Sequence, residues 1–237
     1  MNKTRCVAIS VIILTLISSS VLALDIKELF SGIRPYVGAD AQVRRMDYKA
    51  GFGDNLLQHH SPQGNLYGGL KFSEVLGLEA GYEATSTRTR TVGANAGDVI
   101  NGVTLSTINS PSAFKSKHKI KGPHVDLMGY YSFPDRAPVQ LLGGIGVSFV
   151  KTTFARRTLV MGGIAMNTTR TFSAHKALVR LTGGLQYNMN ENWGGRFTVG
   201  WINTSRMIIG ADDNGRGNPL IKPKNSMVYG LGTLWNF

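Results

Sequence analysis

The sequence predicts an all-β fold, an eight-stranded antiparallel up-and-down transmembrane β-barrel with short turns at one end and long loops at the other. Three observations carry that expectation. Eight runs of alternating apolar and polar residues follow one another from residue 34 to the end of the chain. The connections between them alternate between short and long. The one stretch that approaches a spanning helix in length and apolarity lies at the N-terminus.

That N-terminal stretch is set aside first. Lys3 and Arg5 precede an uncharged apolar run from Val7 to about Leu22, with Ser18, Ser19 and Ser20 near its end. Val21 and Ala23 stand at the −3 and −1 positions of a cleavage site. A basic start, a short apolar centre and a small-residue exit describe a secretory signal peptide over residues 1–23, leaving 24–237 as the barrel domain. The single cysteine, Cys6, lies in the segment expected to be removed. Without a thiol the mature chain has no disulfide framework and no cysteine nucleophile, and no cofactor or metal is expected. The formal charge of +12 falls to +10 without Lys3 and Arg5. Export makes nucleic acid an unsuitable partner for that excess, so its distribution has to explain it.

The eight runs are 34–46, 64–73, 75–86, 122–133, 139–151, 175–188, 193–206 and 225–237. In the third, Leu76, Leu78, Ala80, Tyr82 and Ala84 alternate with Gly77, Glu79, Gly81, Glu83 and Thr85. In the sixth, Ala177, Val179, Leu181, Gly183, Leu185 and Tyr187 alternate with Lys176, Leu178, Arg180, Thr182, Gly184 and Gln186. Period-two alternation with ionised residues on one face is the signature of a strand between two unlike environments. Each run can cross a bilayer as a tilted strand of about nine to eleven residues.

Short turns are expected at Ser73-Glu74, at Pro134 to Pro138 and around Asn190-Glu191-Asn192. Long polar loops are expected over 47–63, 87–121, 152–174 and 207–224, with 93–113 mobile. Alternation does not say which face is outside. A soluble barrel would turn the apolar face inward around a greasy ligand; a membrane barrel would turn it to lipid. The matched charges of the polar face, the length of the loops and the aromatic residues favour lipid outside. Tyr36, Phe72, Tyr131, Phe133, Tyr187, Trp193, Trp235 and Phe237 all fall near the short-turn ends, as an interfacial girdle requires.

The last run, Val228-Tyr229-Gly230-Leu231-Gly232-Thr233-Leu234-Trp235-Asn236-Phe237, ends on phenylalanine with aromatics at alternate positions. It resembles the terminal strand that the outer-membrane assembly machinery recognises. With the strand count, the chain resembles the OmpA/OmpX-type small barrels and the opacity-like surface proteins. The resemblance covers the mature chain by pattern rather than by a sharp motif, and departs from full-length OmpA in having no peptidoglycan-binding domain after Phe237. It implies a bacterial outer-membrane location, short turns on the periplasmic side, outer-membrane lipid and lipopolysaccharide as surroundings, and roles in envelope integrity or adhesion to host surface glycans or proteins.

Three groups of residues are candidates for function. The inward-facing ionisable set is Asp40, Arg44, Lys71, Glu79, Glu83, Asp126, Arg180 and Arg196, four acids against four bases. Asp40, Lys71, Glu79 and Arg196 fall in a lower layer; Arg44, Glu83, Asp126 and Arg180 fall in a higher one. The set reads either as a structural plug or as the gate of a narrow ion or small-solute channel. Gly143, Gly144, Gly146, Gly183, Gly184, Gly230 and Gly232 are expected to make room for it. His124 and Asp126 share a face without an obvious serine, and a hydrolase would need one, so no enzyme is expected. The third group is the basic loops: Arg88, Arg90, Lys115, Lys117, Lys119 and Lys121 in the second, Arg156, Arg157 and Arg170 in the third.

Overall fold

A computed structural model describes residues 32–49, 57–100, 103–104, 106, 111–133, 138–205, 207 and 221–237. The expected signal peptide, most of the turn expected between Pro134 and Pro138, and most of the connection after residue 206 lie outside these residues. The strands in chain order are β1 (Arg34–Tyr48), β2 (His60–Lys71), β3 (Leu76–Thr85), β4 (Arg88–Ala94), β5 (Val99–Ile100), β6 (Val103–Thr104), β7 (Ser112–Ser132), β8 (Val139–Met161), β9 (Ile164–Asn188), β10 (Trp193–Ile202) and β11 (Pro223–Asn236).

Eight of them close into a ring of antiparallel neighbours, β3-β2-β1-β11-β10-β9-β8-β7, with β3 pairing back to β7. Closure pairs every edge of the ring, the condition for spanning hydrocarbon with strands. The eight expected runs become these eight strands. The outward positions carry Val37, Val43, Leu66, Leu78, Val125, Leu127, Ile145, Val147, Val179 and Leu231, all exposed. The inward positions carry the polar and ionised residues.

Two expected loops are largely strand instead. β8 and β9 run together from Val139↔Tyr187 to Met161↔Ile164, and Gly162 and Gly163 make the turn with φ of 60° and 77°. Two positive φ values in a two-residue connection define the hairpin turn whose twist suits the strands, which glycine adopts without steric cost. Likewise β4 pairs with the start of β7, from Arg88↔His118 to Ala94↔Ser112. The segment expected as a mobile loop over 93–113 therefore begins and ends in paired strand. The barrel wall continues past the lipid belt into an extracellular stem. Inside it Phe114, Ile120, Val150, Phe154, Leu178, Ile202, Met207 and Ile221 form one buried apolar cluster with Met46, Tyr48 and Leu57. This cluster gives the strands a reason to continue beyond the bilayer, since burying several large apolar side chains contributes roughly 1.5–3 kcal/mol each.

Candidate functional site

The lumen is filled in layers. At the periplasmic end Arg196 donates from both terminal nitrogens to Glu79, at 2.6 and 3.1 Å, a bidentate pair in which both side chains are buried. Tyr36 donates to Glu79 at 3.0 Å and its hydroxyl lies 3.0 Å from that of Tyr130. The Arg196 guanidinium stacks over the Tyr67 ring at 4.5 Å. Asp40 accepts from Gln42 at 3.2 Å and Asn65 at 3.4 Å. Lys71 sits over the Tyr130 ring at 4.3 Å and donates to Gln140 at 3.3 Å rather than to an acid.

The higher layer centres on Glu83. It accepts from Arg44, from Arg180 at 3.1 Å and from Gln63 at 3.0 Å. Arg180 also lies 3.4 Å from Asp126, whose other neighbour is His124 Nδ1 at 2.8 Å. His124 Nε2 lies 3.0 Å from Asn65 Oδ1. The eight expected lumen charges all face inward, but the two expected layers meet at Asp126. It stands opposite Glu79 in the β3–β7 register and within 4.8 Å of it, while also reaching Arg180. Lys71 finds an aromatic ring and an amide, and Asp40 two amides, instead of an opposite charge. Glycines allow this density. At Gly232 a Cβ would overlap Asp40 Oδ1 and the Ala39 carbonyl, and at Gly146 it would overlap Asp126 Oδ1 and the Val125 carbonyl. Gly143 and Gly183, paired across β8 and β9, lie on the lipid face instead of making room inside.

The cluster invites two chemical readings, a metal site and a hydrolase. Glu79, His124 and Asp126 bring ligand atoms within 4.8 Å of one another. Arg196, Arg180 and Asn65 already engage them, so guanidinium groups balance the acids where a metal ion would have to. Ser148, a residue with no distinguishing signal in the sequence, lies directly across from His124 in register. Its Oγ has no hydrogen-bond partner among the described residues, while both His124 nitrogens are held by Asp126 and Asn65. The imidazole is thus not free to take a proton from it.

The aromatic girdle needs one correction and one addition. Tyr36 is 3% exposed and points into the lumen, because it shares the parity of Asp40 and Arg44. The other seven stay at the periplasmic rim. Trp193 and Trp235 meet edge-on at 4.7 Å, Tyr131 and Phe133 at 5.4 Å, Tyr187 and Phe237 are exposed, and Phe72 and Phe133 are half-buried. The addition is a second ring of outward aromatics at the opposite edge of the apolar belt, formed by Tyr82, Phe149, Trp201 and Tyr229. Aromatic rings at both edges bracket the hydrocarbon thickness.

The basic residues placed in loops are on the strands of the stem, and parity divides them. Lys115, Lys117, Lys119 and Lys121 alternate on the outer face of β7, with Ser116, His118 and Ile120 buried between them. Lys115 faces Arg157 and Lys121 faces Lys151 across the β7–β8 ladder. Arg157 is oriented by Asn167 at 2.6 Å. Lys115, Lys117, Ala155, Arg157 and Thr169 line a shallow depression. Arg88 and Arg90 face the other way: they pair with the inward positions His118 and Ser116, and Arg90 donates to the Leu57 carbonyl at 3.0 Å. Arg156 also takes an inward position, 5.7 Å over the Phe114 ring, with its guanidinium pKa lowered by burial and then by Arg170. Arg170 faces Arg156 across the ladder. His118 is buried beneath the lysines, and burial, with Arg44 beside it, pulls its pKa from 6.5 down to about 4.

A closed antiparallel ring with an apolar belt outside, aromatic rings at both edges and paired charges within is an integral membrane β-barrel. The chain belongs to the family described as outer membrane protein beta-barrel domain, whose model matches residues 9–237, and it is thereby a protein of the bacterial outer membrane. No curated protein matches it in sequence. Among solved structures it is similar to neisserial surface protein A, at 12% identity over 87% of this chain and 100% of that one, with a TM-score of 0.51. Weaker similarity links it to OprG of Pseudomonas aeruginosa, at 16% identity over 90% and 99% of the two chains and a TM-score of 0.44. The attachment invasion locus protein of Yersinia pestis follows at 14% identity over 86% and 97%, also with a TM-score of 0.44. At such identities the first of these bears on the fold alone.

Proposed function

We propose that the protein is a non-conducting surface protein whose barrel anchors a rigid stem, and whose stem works by binding polyanions through its outer basic face. The observation that carries this reading is the register of six cations. Lys115, Lys117, Lys119, Lys121, Lys151 and Arg157 occupy outward positions on two adjacent strands. Their outward neighbours on β4 and β9, Thr89, Thr91, Thr169, Thr171 and Ser173, carry hydroxyls and no acid. Cations held in rows on a rigid sheet are ordered before binding, so less conformational freedom is lost when an anionic polymer lies across them. The upper pair Lys115–Arg157, with Lys117 beside it, supplies the convergent donors for a sulfate or phosphate group on such a polymer.

The test is binding of a sulfated glycan polymer to the barrel reconstituted in vesicles. A K115Q/K117Q/R157Q variant is expected to lose most of the affinity, and the wild-type affinity to fall steeply with salt. Undiminished binding by the variant refutes the reading. The channel alternative is opposed by the two charge layers and the apolar cluster above them. It predicts openings in planar bilayers, from the wild type or from Glu83→Ala and Arg180→Ala proteins, and we expect none from the wild type. No catalytic role is proposed; lipid A of unchanged mass in cells that express the protein is the corresponding expectation.

A further inference from the structure

At the foot of the stem, below the upper cradle of Lys115, Lys117 and Arg157, three outward positions form a separate row. Lys121 on β7 faces Lys151 on β8, and Lys151 faces His175 on β9. On the β3 side the row ends at Ala84. The next outward row toward the membrane is apolar. Tyr82 faces Pro123, and Phe149, 52% exposed, faces Ala177. Below it come Val125, Val147 and Val179, all exposed to lipid. A strand rises about 3.3 Å per residue, so the cationic row stands roughly 6.6 Å along the strands beyond the last apolar one. That is headgroup depth in the outer leaflet.

Directly opposed residues of an antiparallel pair have Cβ atoms about 4.5–5.5 Å apart, and like charges there destabilise the sheet. Lys121 and Lys151 occupy such a pair, are both half-buried, and take part in none of the ion pairs among the described residues. Lys119 adds a third ammonium one row higher, where the Thr153 and Ser173 hydroxyls lie 3.5 Å apart. An anion seated between the two ammonium groups removes their repulsion and accepts from both, and the hydroxyls of the next row are donors within reach of a tetrahedral group.

We propose that Lys121 and Lys151, flanked by Lys119, Thr153 and His175, form a site for a phosphate group carried by the outer-leaflet glycolipid, whose acyl chains lie along Val125, Val147, Phe149 and Val179. The continuity of the cationic row with the apolar belt selects a lipid over a soluble anion: only a lipid occupies both surfaces at once. The site shares the basic face of the proposed function but not the residues of the upper cradle, so either can fail without the other.

Native mass spectrometry of the full refolded barrel in detergent, with diphosphorylated lipid A, with the same lipid stripped of phosphate, or with inorganic phosphate, tests it. We expect one diphosphorylated lipid retained by the wild type and by a K121R/K151R variant. A K121Q/K151Q variant should bind it at least about tenfold more weakly, from the loss of two charge-assisted hydrogen bonds. A K115Q/K117Q variant should bind as the wild type does. Folding of each variant is checked by its mobility shift on heating. Equal retention by K121Q/K151Q, equal retention of phosphate-free lipid, or full displacement by inorganic phosphate at equimolar concentration would overturn the proposal. Equal weakening in K115Q/K117Q would overturn it too, by showing a diffuse basic surface instead of a site.

Discussion

Removing Glu83 tests whether the lumen is dry. Its carboxylate serves Arg44, Arg180 and Gln63 together, and it is 1% exposed. In Glu83→Ala, Arg180 keeps Asp126 at 3.4 Å, but Arg44 keeps only the neutral Gln63 carbonyl at 2.7 Å. One guanidinium is then buried without a counter-charge, which costs about 3–5 kcal/mol when a buried pair is broken from one side. Replacing both members, as in R44M/E83L, leaves no orphaned charge. The double variant should therefore lose less than the two single ones together, with a coupling of roughly 2–3 kcal/mol. Equilibrium urea unfolding in phospholipid vesicles, followed through Trp193, Trp201 and Trp235, measures the wild type, Glu83→Ala, and the R44M, E83L and R44M/E83L proteins of the cycle. A loss below about 1 kcal/mol in Glu83→Ala, or additive single effects, would mean that water reaches Arg44. The claim of a sealed lumen would fall with it.

Two further predictions follow from the same packing. Gly232→Val places a methyl-bearing carbon into Asp40 Oδ1 and the Ala39 carbonyl, and backbone gives way poorly; a loss of about 1–3 kcal/mol or more is expected. Gly183→Val, whose Cβ meets nothing closer than the Leu142 carbonyl at 4.0 Å, should unfold as the wild type does. His118 supplies the pH dependence. Its pKa of about 4 in the fold lies below the ordinary 6.5, so between those values the unfolded chain binds a proton that the folded one refuses. Its contribution to stability is present above pH 6.5 and is lost as pH falls toward 4, by up to about 3 kcal/mol. Comparing unfolding of the wild type and His118→Gln across pH 4–7 isolates it, and parallel curves would contradict the burial of the ring.

The sequence by itself determined the strand count, the faces and the location. Alternation with period two is a local property that survives folding, since each Cβ leaves the sheet on the side its parity dictates. That is why Asp40, Arg44, Glu79, Glu83, Asp126, Arg180 and Arg196 are legible as lumen residues from the chain alone. The same rule, applied strictly, moves Tyr36 inside. It also carries β7 down to Ser112, because Lys115, Lys117, Lys119 and Lys121 alternate with Phe114, Ser116, His118 and Ile120. The Gly162-Gly163 pair between two such stretches is the sign of a hairpin where a loop was expected.

Only the tertiary structure decided who pairs with whom. Ring closure and strand stagger bring Glu83 to Arg44 and Arg180, and Glu79 to Arg196, across separations of 39, 97 and 117 residues. It likewise sends Arg88 and Arg90 inward while setting Lys121 against Lys151 on the outside. Parity fixes the face of a residue, but its partner depends on the register between strands distant in the chain. That register is set by the packing of whole layers: the glycines that admit Asp40 and Asp126, and the buried phenylalanines that extend the wall beyond the membrane.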